Sequence, residues 1–109
     1  MPQTFDPDTG ALISLTDAQT MVADWVTLQG GPGAITISNP KSHAYGKNKI
    51  QDILNQTGCE GIRFYNGVEN GNRVILFVGV DANGLDMMNG QIVETGQPCP
   101  PFCRIPGIN

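Results

Sequence analysis

Apolar positions change their spacing along the chain, and each change marks an element. Leu15, Ala18, Val22, Trp25 and Val26 recur at helical spacing, while Asp17, Gln19, Thr20, Asp24 and Thr27 fall elsewhere on the wheel. Ser14 followed by Asp17 is a capping pattern, with the carboxylate near the positive end of the helix. This predicts a helix from Ser14 to near Leu28, ended by Gly30-Gly31-Pro32-Gly33. A short strand is expected over 34–38, closed by Asn39-Pro40. A second helix is expected over about 46–57, with Ile50, Ile53 and Leu54 as its stripe and Gly58 beyond its end.

The strongest signal is the pair of apolar runs 62–68 and 73–80 around Asn70-Gly71, the preferred dipeptide of a type I′ hairpin turn. With those two residues as the turn, Glu69 faces Asn72, Tyr65 faces Leu76 and Phe64 faces Phe77. One face then carries Ile62, Phe64, Ile75 and Phe77, and suits a core under the helices. The other carries Arg63, Tyr65, Val74, Leu76 and Val78. It is also substantially apolar, so the C-terminal residues Ile92, Val93, Phe102, Ile105 and Ile108, another copy of the chain, or a partner must cover it. After a turn at Asp81-Ala82-Asn83-Gly84 comes a short strand near 91–95. Residues 96–103, with Pro98, Pro100 and Pro101, can be neither a helix nor a central strand and read as an irregular tail.

The expected fold class is α+β: two helices packed on a small, mainly antiparallel sheet with a central β-hairpin and irregular N- and C-terminal arms. The expected organisation is an arm at 1–13, one α+β domain at 14–95, and a Pro- and Cys-containing tail at 96–109. A chain of 109 residues leaves little room for a second domain.

Charge narrows the function classes. Ten acidic against six basic residues give −4, which argues against nucleic acid as the partner. No apolar run is long enough to span a membrane. The first eight residues contain neither a basic nor an apolar signal region, so a cytoplasmic protein is expected; export without a cleaved signal, or association with a virus particle, stays open. Basic residues concentrate at 41–73, where Lys41, Lys47, Lys49, Arg63 and Arg73 outnumber Asp52, Glu60 and Glu69. That asymmetry suits an anion-binding patch or charge-complementary self-association.

Candidate chemistry is sparse. Cys99 and Cys103 flank two prolines in a tight loop and are a disulfide candidate. Their spacing is not that of a redox pair at a helix start. Cys59, Cys99, Cys103 and His43 lack the paired spacing of a zinc knuckle, and the Asp6–Asp17 and Asp81–Asp86 segments misplace the glycine of a calcium loop. No metal or cofactor is expected. His43 is the single histidine, no nucleophile elbow exists, and the glycines at 30–33 follow a helix instead of preceding one, so neither catalysis nor a phosphate loop is expected.

Gly58-Cys59-Glu60-Gly61-Ile62-Arg63-Phe64-Tyr65 and Val78-Gly79-Val80-Asp81-Ala82-Asn83-Gly84 give the pattern GCxGIRxY…VGVDAxG, followed by a Cys-Pro-Pro tail. This resembles a group of small Bacteroidetes proteins with no assigned activity, over roughly residues 12–103. The resemblance implies that hairpin and tail act as one unit and carries over no catalytic residue.

The leading expectation is a non-catalytic assembly or interaction module. Its second sheet face or sheet edge would bind another copy (a homo-oligomer) or another protein, through Arg63, Tyr65, Val74, Leu76 and Val78; Tyr and Arg are common interface anchors. The alternative is a small-ligand or anion-binding protein with Lys41, His43, Lys47, Lys49 and Arg63 around a pocket. A further alternative is a thiol or metal protein built on Cys59, Cys99 and Cys103.

Overall fold

A computed structural model describes residues 4–104, 107 and 108; Ile105, one of the expected covering residues, lies outside them. The chain forms helix α1 (Leu15–Gln29), a 3-10 turn (Pro32–Ala34), strand β1 (Ser42–Ala44), helix α2 (Lys47–Leu54), the long strands β2 (Cys59–Glu69) and β3 (Asn72–Asp81), and the short strands β4 (Ile92–Val93) and β5 (Gln97–Cys99). The fold is α+β, with a mainly antiparallel sheet built on a hairpin.

The hairpin adopts the register that turn chemistry predicts, with Glu69 opposite Asn72, Tyr65 opposite Leu76 and Phe64 opposite Phe77. Asn70 and Gly71 both have positive φ, 53° and 80°, as a type I′ turn requires. Strand β4 adds to the outer edge of β3, pairing Ile92 with Val78 and Val93 with Phe77. The first face of the sheet meets α2 and Tyr45. Ile53 and Phe77 are fully buried, and the Tyr45 ring stands edge-on to Phe77 with centroids 4.9 Å apart.

Helix α1 begins as expected: Ser14 Oγ accepts from the Asp17 backbone N–H at 3.0 Å, and Gly30 closes the helix in the left-handed region. It packs mainly on the 3-10 turn and has no buried residue. Helix α2 is shorter than the expected 46–57 and ends with its apolar stripe at Leu54. Its Asn55 N–H already bonds the Gln51 carbonyl, and the Gln56 side chain bonds the Ile53 carbonyl, so local groups satisfy the last turn.

Two expectations are corrected. Residues 34–38 form no strand: Ile35 N–H closes the 3-10 turn on Pro32, and Thr36 and Asn39 exchange backbone hydrogen bonds in a tight turn. The local β propensity of Ile35, Thr36 and Ile37 therefore loses to the Pro-Gly and Asn-Pro punctuation on either side. The tail is not wholly irregular. Gln97–Cys99 pairs antiparallel with β1, matching Ser42 to Cys99, His43 to Pro98 and Ala44 to Gln97. In a two-stranded ribbon each strand is an edge, so Pro98 needs no N–H on its outer side.

One end of the second sheet face, around Gly61, Val78 and Val80, is covered from within the chain, while Tyr65 further along it is exposed. The Phe5 ring lies over Gly61, where a Cβ would sit 2.6 Å from the ring, and Phe5 N–H bonds the Ala82 carbonyl at 2.8 Å. The turn after β3 folds back so that Asp86 bridges to Val80. Val78 and Val80 are consequently buried, at 4% and 1% exposed, so Val78 is an internal residue and not one a partner can reach. The expected C-terminal cover does not form it: Ile92 extends the sheet sideways, and Phe102 and Ile108 are exposed.

Candidate functional site

Arg63 on β2 reaches across Val78 to the 81–86 turn. Its Nη1 donates to Asp86 Oδ1 at 2.5 Å and its Nη2 to the Gly84 carbonyl at 3.1 Å. Tyr65, two residues on and therefore on the same face, donates its hydroxyl to Asp86 Oδ2 at 2.5 Å. The turn is held from its other side by Asp81, whose Oδ1 accepts from Asn83 and Leu85 N–H. Each partner titrates accordingly. The bond from Tyr65, then that from Arg63, holds Asp86 below the usual carboxylate range, and the bond to Asp86 raises both Arg63 and Tyr65. Arg63 and Tyr65 thus clamp the chain's own turn, while half-buried Val74 and Leu76 of β3 lie further along the same face.

The five residues expected around an anion pocket are dispersed. Arg63 is taken by Asp86. Lys47 is exposed at the first position of α2. Lys49 lines a cavity of about 590 Å³ with Tyr45 and Glu94. His43 points into a separate cavity of about 200 Å³ between the β1–β5 ribbon and the hairpin. Its Nδ1 is buried without a hydrogen-bond partner among the described residues. Burial, then the neighbouring Arg73 charge, lowers its pKa, so it is neutral at neutral pH.

Lys41 alone joins a basic cavity, and its companions come from elsewhere. Trp25 and Gln29 of α1, Asn39, Lys41, and Asn66 and Arg73 of the hairpin line a depression of about 430 Å³. The Arg73 guanidinium lies 5.5 Å from the Trp25 ring centroid. It donates to Asn39 Oδ1 at 3.2 Å, to Asn66 Oδ1 at 3.0 Å and to the Pro40 carbonyl. Arg73 stood in the sequence only as one of several basic residues. Two of its three partners, Pro40 and Asn39, lie 33 and 34 positions upstream, and only the fold brings them together.

On the other side of Lys41 lies an apolar groove of about 470 Å³ between Val22 and Val26 of α1, Pro32 and Ile35 below it, and Pro100 and Cys103 of the tail. Cys99 and Cys103 have Cα atoms 4.7 Å apart and sulfurs at bonding distance, which fixes this wall of the groove. Cys59 is separate, at the irregularity where β2 starts, with its thiol donating to the Gly61 carbonyl at 3.2 Å. Among the described residues no group of three or more His, Cys, Asp and Glu could hold a metal ion. The three cysteines therefore do not form one centre.

The fold and these surfaces define a small α+β chain with a bridged tail, a clamped hairpin turn and two open concavities. No family model matches the chain, and no match was found among curated proteins or solved structures. No helix among the described residues is long and apolar enough to cross a membrane.

Proposed function

We propose that the chain is a non-catalytic assembly module that associates with copies of itself, burying the α1 groove and the apolar residues beside it. The observation that carries this reading is the exposed area. The chain has 7769 Å² of accessible surface, whereas a compact chain of its mass is expected to have about 5,800 Å². Its radius of gyration is 15.6 Å, against about 13 Å for a compact chain of this length. The surplus, about 1,900 Å², exceeds the roughly 800 Å² each partner buries in a standard interface.

Large apolar side chains are among what is exposed. Among the described residues only Ile53, Phe77, Val78, Val80 and Cys99 are buried apolar side chains, while Leu12, Ile13, Leu15, Met21 and Leu28 are exposed around α1. Exposed apolar side chains in this number beside an apolar groove favour association. Charge supports a second copy as the partner: residues 1–40 carry four carboxylates and no Lys or Arg, and residues 41–73 carry a surplus of cations. The proposed interface is on α1 and its neighbours, a choice supported by Arg63, Tyr65 and Val78 being engaged within their own chain.

Sedimentation velocity over a range of concentrations tests the reading. A mass that rises to a defined oligomer is expected. A strict monomer throughout would refute it.

A further inference from the structure

We infer that the cavity formed by Trp25, Gln29, Asn39, Lys41, Asn66 and Arg73 binds a small organic monoanion, specifically a carboxylated sugar of the uronate type. One copy of the chain builds it, so the inference does not depend on self-association.

The first argument is donor surplus. No carboxylate lines the cavity, yet two cations do. Of the five guanidinium N–H groups of Arg73, three are used, by Asn39, Asn66 and Pro40. That leaves one N–H on each terminal nitrogen. The amides are oriented by the same bonds. Asn66 Oδ1 accepts from Arg73, which leaves its NH₂ to donate. Gln29 Oε1 accepts from Asn39 Nδ2 at 3.3 Å, which leaves its NH₂ to donate as well. The cavity therefore presents donors from Arg73, Lys41, Asn66 and Gln29, and a matching ligand must be rich in acceptors and negatively charged.

The second argument selects the anion. Gln29 is the last residue of α1, so the negative end of that helix borders the cavity. That field disfavours a dianion more than a monoanion. The cavity thus lacks the helix N-terminus that commonly seats phosphate, and the paired terminal nitrogens of Arg73 match the two oxygens of a carboxylate.

The third argument is the body of the ligand. A cavity of about 430 Å³ falls within the roughly 300–1,000 Å³ of small-molecule sites. Trp25, its one aromatic wall, already carries the Arg73 guanidinium 5.5 Å from its ring centroid, so the body of the ligand meets the amides of Gln29 and Asn66, whose free NH₂ groups suit the hydroxyls of a sugar ring.

Trp25 is the single tryptophan, and it lines this cavity; titrations at one fixed protein concentration keep any signal from association through α1 constant. Glucuronate and galacturonate are titrated into the full chain, with glucose and inorganic phosphate as comparisons. A saturable change with either uronate, with glucose silent and phosphate weaker, is expected. Arg73→Met removes bonds the fold uses, so two gentler variants carry the test, each checked for an unchanged circular dichroism spectrum. Lys41→Gln removes one free cation and is expected to weaken binding about tenfold. Asn66→Asp supplies Arg73 with an internal carboxylate and is expected to weaken it by more. Silence toward both uronates up to about 50 mM, beyond even weak millimolar affinity, would overturn the inference. So would an equal response to glucose, tighter binding of phosphate, or wild-type affinity in Asn66→Asp.

Discussion

Val22→Asp puts a carboxylate into the wall of the α1 groove, the surface proposed to be buried on self-association. In the isolated chain the change is mild. Val22 is half-exposed, so the carboxylate stays hydrated, and Val and Asp have similar helix propensities. In the associated state the same carboxylate loses its water, with Lys41 the one cation among the groove's lining residues. Without a close pairing to that ammonium the buried charge costs about 3–5 kcal/mol, which is a loss of roughly two to four orders of magnitude in affinity. A twofold interface would carry the substitution on both sides, so the loss is at least that large. Sedimentation velocity from about 1 to 100 µM brackets micromolar affinity and should show wild type as an oligomer and Val22→Asp as a monomer, with matching circular dichroism spectra. An unchanged oligomeric mass in Val22→Asp would remove the groove from the interface and refute the reasoning.

Phe77→Ala deletes the largest buried side chain among the described residues, with the Tyr45 ring edge-on and the Phe64 ring tilted against it, and should cost about 3–5 kcal/mol in urea denaturation. His43 should make stability depend on pH: its folded pKa lies below the usual 6.5, so the unfolded chain takes up the proton first. The contribution is complete above the unfolded pKa and is lost as pH falls through the folded one; His43→Gln should flatten the melting profile in that window. Asp86 acts in a separate window, because its lowered pKa makes its contribution disappear only below the ordinary carboxylate range. Purified without reductant, the chain should lack two thiol hydrogens by mass, and reduction of the four-residue Cys99–Cys103 separation should lower stability by about 2 kcal/mol; an unchanged mass and melting temperature after reduction would disprove the bridge.

Legibility in the sequence followed the range of the interaction. The hairpin register needed only Asn70-Gly71 and the alternation on either side, because a two-residue turn leaves one way to pair the strands. Helix α1 needed only Ser14, Asp17, an apolar stripe and Gly30. The strand expected at 34–38 failed because five apolar and polar residues in alternation do not make a strand without a partner beside them. Conversely, Gln97–Cys99 carries a proline and no alternation, yet it is a strand because β1 lies next to it.

The sequence by itself determined the elements whose causes lie within a few residues of one another: α1, the type I′ hairpin, and the sharing of one sheet face by Arg63, Tyr65 and Val78. Tertiary structure decided what those residues do. It gave Arg63 and Tyr65 to Asp86, more than 20 residues downstream, and so made them a clamp on the chain's own turn. It also set Trp25, Lys41 and Arg73 around one cavity and left His43 and Lys49 in others. Local chain geometry cannot encode such meetings, because side chains that far apart in sequence are brought together only when the packing of whole elements closes the loop between them.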